Sequence, residues 1–374
     1  MIIKNAKIVL ADQVLEGGSL SFDNGIINEV SASEIPGAEA IDAGGAILMP
    51  GFIDIHMHGS NNIDFMDASV EDYSAVSASL FEEGVTTYLA TTLTADSSML
   101  LKVARVVKEA KPLNPSLGGI HLEGPYISVN HKGAQNEAYI RNADLEELRL
   151  LQEASGGNIR YITLAPEKPG ALEFISGAAE LGVVCSAGHT DASFEDIERA
   201  VAAGLGNTTH THNAMSGHHH RNPGVVTAAM YFDSLYCELI CDGIHVNPNV
   251  IKTFLKVLGE DRFVIITDSL KIKHSDVETF KLCGLDCVRK NGAAYLTTGP
   301  LAGSLLTMDK AVRNLRDWAA APLPVLAKIS SGNAAKSIGF KDRGEIKAGL
   351  LADFVLLNEA LEVQSVYKLG QRVK

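Results

Sequence analysis

Eight short apolar runs, alternating with helix-length amphipathic segments, are the feature that most constrains how this chain can fold. The alternation begins after Pro50, and each run is followed by a helical stretch or a polar loop. This pattern is typical of a parallel sheet, and eight repeats predict an α/β fold built on a closed (β/α)8 TIM-like barrel. The predicted strands are Phe52–Met57, Val85–Thr92, Gly118–Glu123, Arg160–Ala165, Val183–Ala187, Asn207–Thr211, Leu235–Cys241 and Phe263–Thr267.

The two ends of the chain lack this alternation. Residues 1–49 contain short strand-like runs separated by Asp23-Asn24-Gly25 and Gly44-Gly45, which favour tight turns. We therefore expect residues 1–49 and 345–374 to pair into a small β-sandwich domain beside a catalytic barrel domain of residues 50–344. The predicted elements near the C-terminus are helices at Thr307–Ala320 and Leu323–Lys328 and strands at Asp353–Leu357 and Val366–Val373.

Charge and hydropathy argue against two classes of partner. The chain of 374 residues has 45 acidic and 32 basic side chains, and its net charge of −13 disfavours binding to nucleic acid. No apolar run reaches transmembrane length, and the opening segment MIIKNAKIVLADQ alternates like a strand. We therefore expect no membrane association and a cytoplasmic protein, in which any anionic ligand needs its own local cations.

The cysteines predict free thiols. The chain has five, at positions 185, 237, 241, 283 and 287, and an odd number in a long chain favours a reducing compartment. Two C-x3-C pairs lie in the strand-like runs YCELIC and FKLCGLDC. Residues four apart in a strand are about 13 Å apart, so structural zinc at either pair is only a minor alternative.

Side chains that can bind metal end several of the predicted strands, and the active site of such a barrel lies at those carboxyl ends. His56 and His58 share one face of a strand, with Cα atoms about 7 Å apart. Glu123 adds a carboxylate, and His189 and His210 follow two neighbouring strands. A Glu-His-His set suits catalytic zinc with an open position for water. Each histidine alone is more often structural, so this prediction depends on their coincidence at adjacent strand ends.

Asp268 follows the apolar run Val264-Ile265-Ile266, where an unpaired buried charge is costly. A metal-bound water is a natural partner for this carboxylate. Asp268 is therefore predicted to act as a general base toward that water and then as a general acid toward a leaving amine. The alternative is a helix or turn cap.

Eight motifs carry a family resemblance over almost the full length of the chain. They are PGFIDIHMHG, HLEGPYI, TLAPE, AGHT, THTHNAM, DGIHV, ITDS and LAGSLLTM. In this order they resemble the N-acetylglucosamine-6-phosphate deacetylases of the amidohydrolase superfamily. The resemblance implies hydrolysis of N-acetylglucosamine 6-phosphate to glucosamine 6-phosphate and acetate, as in amino-sugar catabolism.

The resemblance also implies the roles of individual residues. Glu123, His189 and His210 would bind one divalent ion, and His56 and His58 are available for a second. The implied cofactor is thus one or two divalent ions, with zinc the first choice and iron the alternative, and Asp268 would be the catalytic acid and base. In similar enzymes the arginine that binds phosphate can reach across a homodimer interface. The implied substrate-binding residues are Gln135, Asn213, Ala214, Arg221, His245 and Leu301.

Two departures from the family pattern keep alternatives open. Gln135 stands where some members carry a histidine that helps to polarise the carbonyl, and the run Ser269–His274 lacks the small residues that usually follow the catalytic aspartate. The alternative substrates are N-acetylgalactosamine 6-phosphate and other N-acylated amino sugars. More distant alternatives are another amidohydrolase, such as a cyclic-amide hydrolase or a deaminase, and a non-catalytic barrel scaffold.

Overall fold

The computed structural model describes residues 1–37 and 39–374. Its strands are β1 (Ile2–Val9), β2 (Val14–Asp23), β3 (Ile26–Ser31), β4 (Ala40–Asp42), β5 (Ile47–Pro50), β6 (Phe52–Asp54), β7 (Gly59–Ser60), β8 (Ile63–Asp64), β9 (Val85–Thr92), β10 (Leu117–Glu123), β11 (Ile159–Leu164), β12 (Val184–Ala187), β13 (Asn207–Thr208), β14 (Tyr236–Ile240), β15 (Phe263–Ile266), β16 (Thr279–Leu282), β17 (Leu285–Lys290), β18 (Ala293–Leu296), β19 (Leu301–Ser304), β20 (Phe354–Leu357), β21 (Val363–Lys368) and β22 (Gln371–Arg372). The α-helices are α1 (Asp72–Phe81), α2 (Ser97–Ala110), α3 (Leu145–Ala154), α4 (Ala171–Glu180), α5 (Phe194–Ala203), α6 (Val225–Tyr231), α7 (Pro248–Leu258), α8 (Met308–Ala319), α9 (Leu323–Ala327) and α10 (Asn333–Ser337).

The predicted barrel is confirmed. A parallel sheet of eight strands runs in the order β15-β14-β13-β12-β11-β10-β9-β6, and the helices α1 to α8 each follow one of these strands in the chain. The two outer strands are joined just beyond their ends, where the amide of Asp268 donates to His56 O at 2.8 Å and the amide of His58 donates to Ser269 O at 2.8 Å. The backbones of His56, His58 and Asp268, whose side chains are predicted to act in the site, therefore also close the barrel.

Several barrel strands are shorter than predicted. β6 ends at Asp54, β13 ends at Thr208 and β15 ends at Ile266, so His56, His58, His210 and Asp268 all lie in the turns that follow. The expectation that His56 and His58 share one face of a regular strand was therefore wrong. Their imidazole rings nevertheless lie 5.5 Å apart, because the extended segment after β6 carries both into the barrel mouth.

Both chain ends contribute to a second sheet, as predicted. The sheet runs in the order β22-β21-β20-β5-β1-β2-β3, with β4 also paired to β1. One set of its buried residues forms a hydrophobic cluster of its own, with members from both ends such as Ile8, Phe22, Phe354 and Tyr367. Others, such as Met49, Val355 and Val366, belong to the barrel cluster. The predicted strand over 366–373 is instead two strands, because Leu369 and Gly370 turn the chain at positive φ. We propose that the two clusters mark separate domains, with boundaries at 49/50 and 344/345.

An antiparallel sheet of four strands, β16-β17-β18-β19, is inserted between β15 and α8 and was not predicted. Within it, the run FKLCGLDC forms a hairpin with Cys283 and Gly284 at positive φ, so the prediction of a single strand through both cysteines was wrong. All five cysteines are free thiols, as predicted. The sheet places Leu301 of β19 beside the barrel mouth.

Among the described residues, no helix has both the length and the apolar character that crossing a bilayer requires.

A buried ion pair anchors the loop that follows Asp268. The Nζ atom of Lys273 lies 2.6 Å from Oε1 of Glu83, and both side chains are 1% exposed. The other Glu83 oxygen accepts a hydrogen bond of 2.6 Å from the amide of Met308 at the start of α8. The amide of Asn61 donates to Lys273 O, which ties the same loop to the β7–β8 hairpin. The pair thus connects the loop to α1 and α8.

Replacement of Lys273 by methionine is expected to lower the free energy of unfolding by about 3–5 kcal/mol, because it leaves Glu83 buried without its cation. Urea denaturation at fixed metal concentration measures this change. The double variant Lys273→Met with Glu83→Gln should recover part of the loss, since it removes the unpaired charge. Lys281→Met, which breaks the exposed pair with Asp286, is the control. An unchanged urea midpoint of unfolding for Lys273→Met would contradict the stabilising role of the Lys273–Glu83 ion pair.

Candidate active site

Two groups of side chains that can bind metal meet at the barrel mouth. One contains His56, His58 and Asp268, and the other contains Glu123, His189 and His210. Oε1 of Glu123 lies 3.2 Å from His189 Nε2, 3.1 Å from His210 Nε2 and 3.2 Å from His56 Nε2. Its other oxygen lies 3.4 Å from His58 Nε2. Glu123 therefore faces both groups at once.

Backbone turns aim three of these side chains inward. His189, His210 and Asp268 have φ values of 49°, 29° and 49°, in the left-handed region that non-glycine residues rarely adopt. Such conformations persist only where the surrounding structure enforces them, and they cluster at functional sites. Here they let the chain leave a short apolar strand and direct an imidazole or carboxylate across the barrel axis.

The site holds buried carboxylates that need positive charge. Burial would raise the pKa of Glu123, but His56, His189 and His210 hold it well below its usual range. Burial would lower the pKa of His58, but hydrogen bonds to Asp268 and Glu123 raise it to about 9. In the protein alone, then, protonated imidazoles must compensate the carboxylates. None of the residues that line the cavity is lysine or arginine.

The donor set fits divalent metal ions. Nε2 of His189 lies 3.1 Å from Nε2 of His210, and both face the same oxygen of Glu123. Nε2 of His56 is buried without a hydrogen-bond partner among the described residues, although two carboxylates lie within 3.5 Å of it. Nitrogen and oxygen lone pairs that converge in this way are arranged for a cation, and imidazole with carboxylate suits zinc or iron.

A cavity of about 300 Å³ opens onto both groups. Most of the side chains predicted to bind substrate line it, namely Gln135, Asn213, Ala214, His245 and Leu301. The imidazole of His245 is held by Asp242, with Nδ1 and Oδ2 2.6 Å apart. Burial would lower the pKa of His245, but Asp242 outweighs burial and raises it. The protonated form of this imidazole at the cavity wall is therefore favoured relative to a free histidine.

Two predicted substrate residues lie in unexpected surroundings. Gln135 is almost fully buried, and its side chain donates to Glu123 Oε2 at 2.5 Å while accepting from the amide of Thr94 at 2.7 Å. Its side chain therefore orients the shared carboxylate as well as lining the cavity. Arg221 is exposed on the loop before α6 and is not among the lining residues.

A family model described as amidohydrolase family matches residues 47–373. The chain belongs to the amidohydrolase family. An N-acetylglucosamine-6-phosphate deacetylase of Bacillus subtilis is 37% identical to it over 373 residues, covering 97% of this chain and 94% of the relative. An N-acetylgalactosamine-6-phosphate deacetylase of Escherichia coli O157:H7 is 30% identical over 375 residues, covering 99% of this chain and 98% of the relative.

A solved structure supports the same placement. It is N-acetyl-D-glucosamine-6-phosphate deacetylase from Mycobacterium smegmatis, an aspartate-to-alanine mutant in complex with N-acetyl-D-glucosamine-6-phosphate. It aligns with a TM-score of 0.95 at 29% sequence identity, covering 100% of this chain and 99% of that chain. The similarity thus extends over the barrel, the inserted sheet and the sheet from the chain ends.

Sequence reasoning missed the buried partners beneath the site of this amidohydrolase. His121 packs edge-on against His56, with ring centroids 4.6 Å apart, and its Nε2 lies 2.8 Å from the Thr163 hydroxyl. Glu238 lies 3.0 Å from His56 Nδ1. The signal for Glu238 was present, because an acid in the middle of the apolar run YCELIC faces either solvent or a buried partner.

Replacement of Glu123 by glutamine is expected to deplete metal from both groups, because one neutral amide replaces the carboxylate that faces all four histidines. Affinity for zinc should fall by more than about 100-fold, beyond the range typical of residues that only support a ligand. Elemental analysis after equilibration with zinc measures the ions retained per chain. Glu147→Gln, at an acid that pairs with Arg141, is the matched control. Full metal content in Glu123→Gln would contradict the central position of this residue.

Proposed function

We propose that this protein removes the acetyl group from N-acetylglucosamine 6-phosphate, giving glucosamine 6-phosphate and acetate. One observation carries the proposal: a single cavity joins a Glu-His-His group, a His-His-Asp group and His245, whose pKa is raised by Asp242. The first two suit hydrolysis of an amide, and the third suits recognition of a phosphate. The names of the relatives support the same reaction and place it in amino-sugar metabolism.

Glu123, His189 and His210 would hold one divalent ion, and His56, His58 and Asp268 would hold a second. We propose zinc, with iron as the alternative, because availability decides between metals that share these ligands. When bound, such ions lower the pKa of water to about 7 and polarise the acetamide carbonyl.

Asp268 is the group placed to move the proton. Its side chain is 13% exposed to the cavity, and Oδ1 lies 3.2 Å from His58 Nε2. We propose that its carboxylate takes a proton from the attacking water and returns it to the sugar nitrogen as the C–N bond breaks. Burial would raise the pKa of Asp268, but His58 and His56 hold it below its usual value, so the carboxylate is ionised and ready to act as the base.

We propose that the phosphate is bound at the cavity wall by His245 and Asn213. Asn213 donates its side-chain amide to His210 O at 3.1 Å, which fixes its position beside the metal-binding turn. A phosphate dianion needs more positive charge than one imidazole supplies. We propose that Arg221 of the partner subunit in a homodimer provides it, since an arginine fork matches phosphate geometry.

The second candidate substrate is N-acetylgalactosamine 6-phosphate, the epimer at carbon 4. It is favoured by the relative of that name, which is 30% identical over nearly the whole chain. Leu301, Ala302 and Gly303 of the inserted sheet line the cavity, so this sheet is the element expected to distinguish the two sugars.

Acetate release from the two phosphorylated epimers and from unphosphorylated N-acetylglucosamine tests the proposal, with metal content determined in the same preparation. Strong preference for N-acetylglucosamine 6-phosphate is the expected result. Preference for its epimer would favour the second candidate. Three intact sugars in a preparation that retains its metal would refute both.

Asp268→Asn is expected to retain its metal ions, because the amide keeps an oxygen that can bind metal, while kcat falls by about 10²–10⁴-fold through loss of proton transfer. Paired measurements of kcat and metal content check this expectation. If the variant retains its full metal content and a kcat within a few-fold of the wild-type value, Asp268 is not the residue that transfers the proton.

Arg221→Ala is expected to raise KM for the phosphorylated substrate by about 10- to 100-fold and to leave an unphosphorylated substrate nearly unaffected. Mixing inactive Asp268→Asn protein with Arg221→Ala protein should restore activity, because hybrid dimers contain one cavity with Asp268 and with Arg221 of the partner subunit. Absence of rescue in verified hybrids, or equal loss on both substrates, would refute the shared phosphate site.

A further inference from the structure

Glu238 is a buried carboxylate that contacts one residue in each of the two metal-binding groups. It lies in the middle of β14, is fully buried, and has Tyr161 among its neighbours inside the barrel. Its Oε2 atom lies 3.0 Å from Nδ1 of His56 and accepts a hydrogen bond of 3.1 Å from the backbone amide of His210. One carboxylate oxygen thus contacts one residue of each group.

The first contact fixes the tautomer of His56. An ionised carboxylate only accepts hydrogen bonds, so Nδ1 of His56 carries a proton and Nε2 is left as the ring atom that can bind a metal ion. The Nε2 atom faces Glu123 and Asp268, whose nearest oxygens are 3.2 Å and 3.5 Å away. The second contact holds the amide of His210 in the turn with φ of 29°.

No other metal-facing histidine has an equivalent partner among the described residues. Nδ1 of His189 lies 2.7 Å from the carbonyl of His131, which is neutral. Nδ1 of His58 and Nδ1 of His210 are buried without hydrogen-bond partners in the described part of the chain. A partner that orients a ligand histidine typically changes metal affinity by about 10- to 100-fold. Among the metal-facing histidines in the described residues, only His56 therefore has a carboxylate that orients its ring.

Charge balance points to the same residue. Two divalent ions bring four positive charges, and Glu123, Asp268 and Glu238 bring three negative ones. The cavity lining includes no lysine or arginine to alter this balance. Without Glu238, two ions about one shared carboxylate would face only two negative charges. The second ion would then be held more weakly than the first, whose ligands include Glu123 directly.

We propose that Glu238 is the positioning residue that allows a second ion to occupy the group of His56, His58 and Asp268. This inference rests on the proposed metal-dependent function only in that the site binds divalent ions. Glu238 does not touch the ions, the substrate or the reacting atoms. It acts through the ring orientation of His56 and through its own charge.

Zinc titration of the metal-free protein tests the inference without any sugar. Wild-type protein is expected to bind two zinc ions per chain. Glu238→Gln, which keeps the shape but loses the charge, should bind the first ion and bind the second about 10- to 100-fold more weakly. Glu238→Asp should recover part of the second affinity. Cys237→Ala is the matched control, because Cys237 is equally buried on the same strand and its thiol faces the neighbouring carbonyl of Ala229 instead.

Two results would overturn the inference. One is a wild-type protein that binds a single zinc ion, and the other is Glu238→Gln protein that binds two with unchanged affinities. If Glu238→Gln does not fold, wild-type protein labelled with ¹⁵N-histidine and loaded with ¹¹³Cd decides the matter. Coupling of cadmium to Nε2 of His56 with a protonated Nδ1 would support the assignment, and coupling to Nδ1 would overturn it. Failure to release acetate from any sugar would refute the proposed function and leave these metal measurements unaffected.

Discussion

A carboxylate buried at the end of an apolar strand requires compensating positive charge, and in this barrel that carboxylate belongs to Glu123. Four imidazoles approach it within 3.4 Å, from segments that follow β6, β12 and β13. Because these histidines come from the ends of three different strands, the site exists only when the barrel is closed. Closure in turn uses the backbone of His56 and Asp268. Folding and assembly of the site are therefore one event, and a cation stabilises both.

The sequence predicted the barrel well because each strand is a short apolar or β-branched run, which depends on local composition. It predicted strand ends poorly, because His210 and Asp268 leave the sheet through backbone conformations set by tertiary contacts. The hairpin at Cys283-Gly284 was missed for a related reason. A non-glycine residue at positive φ gives no signal in the pattern of apolar residues.

The sequence predicted the side chains that can bind metal, but it did not predict the buried residues that hold those side chains in place. Motifs at strand ends identified the six residues of the two metal-binding groups, which the structure brings together. Glu238 and His121 lie inside strands, where a polar residue is easily interpreted as structural. Their importance depends on which face of the strand they occupy and on what lies opposite. Both are properties of the closed barrel and not of the local sequence.

Electrostatics also explains how an acidic protein can bind a phosphorylated sugar. The net charge of −13 opposes the approach of an anion, and the described lining of the cavity contains no lysine or arginine. Two divalent ions would compensate the buried carboxylates and leave one positive charge near the acetamide end. At the cavity wall, Asp242 raises the pKa of His245 and so favours its protonated form. Positive charge is thus expected near the acetamide, where charge develops in the reaction, and near the phosphate. This arrangement favours a ligand that carries both groups over simple anions.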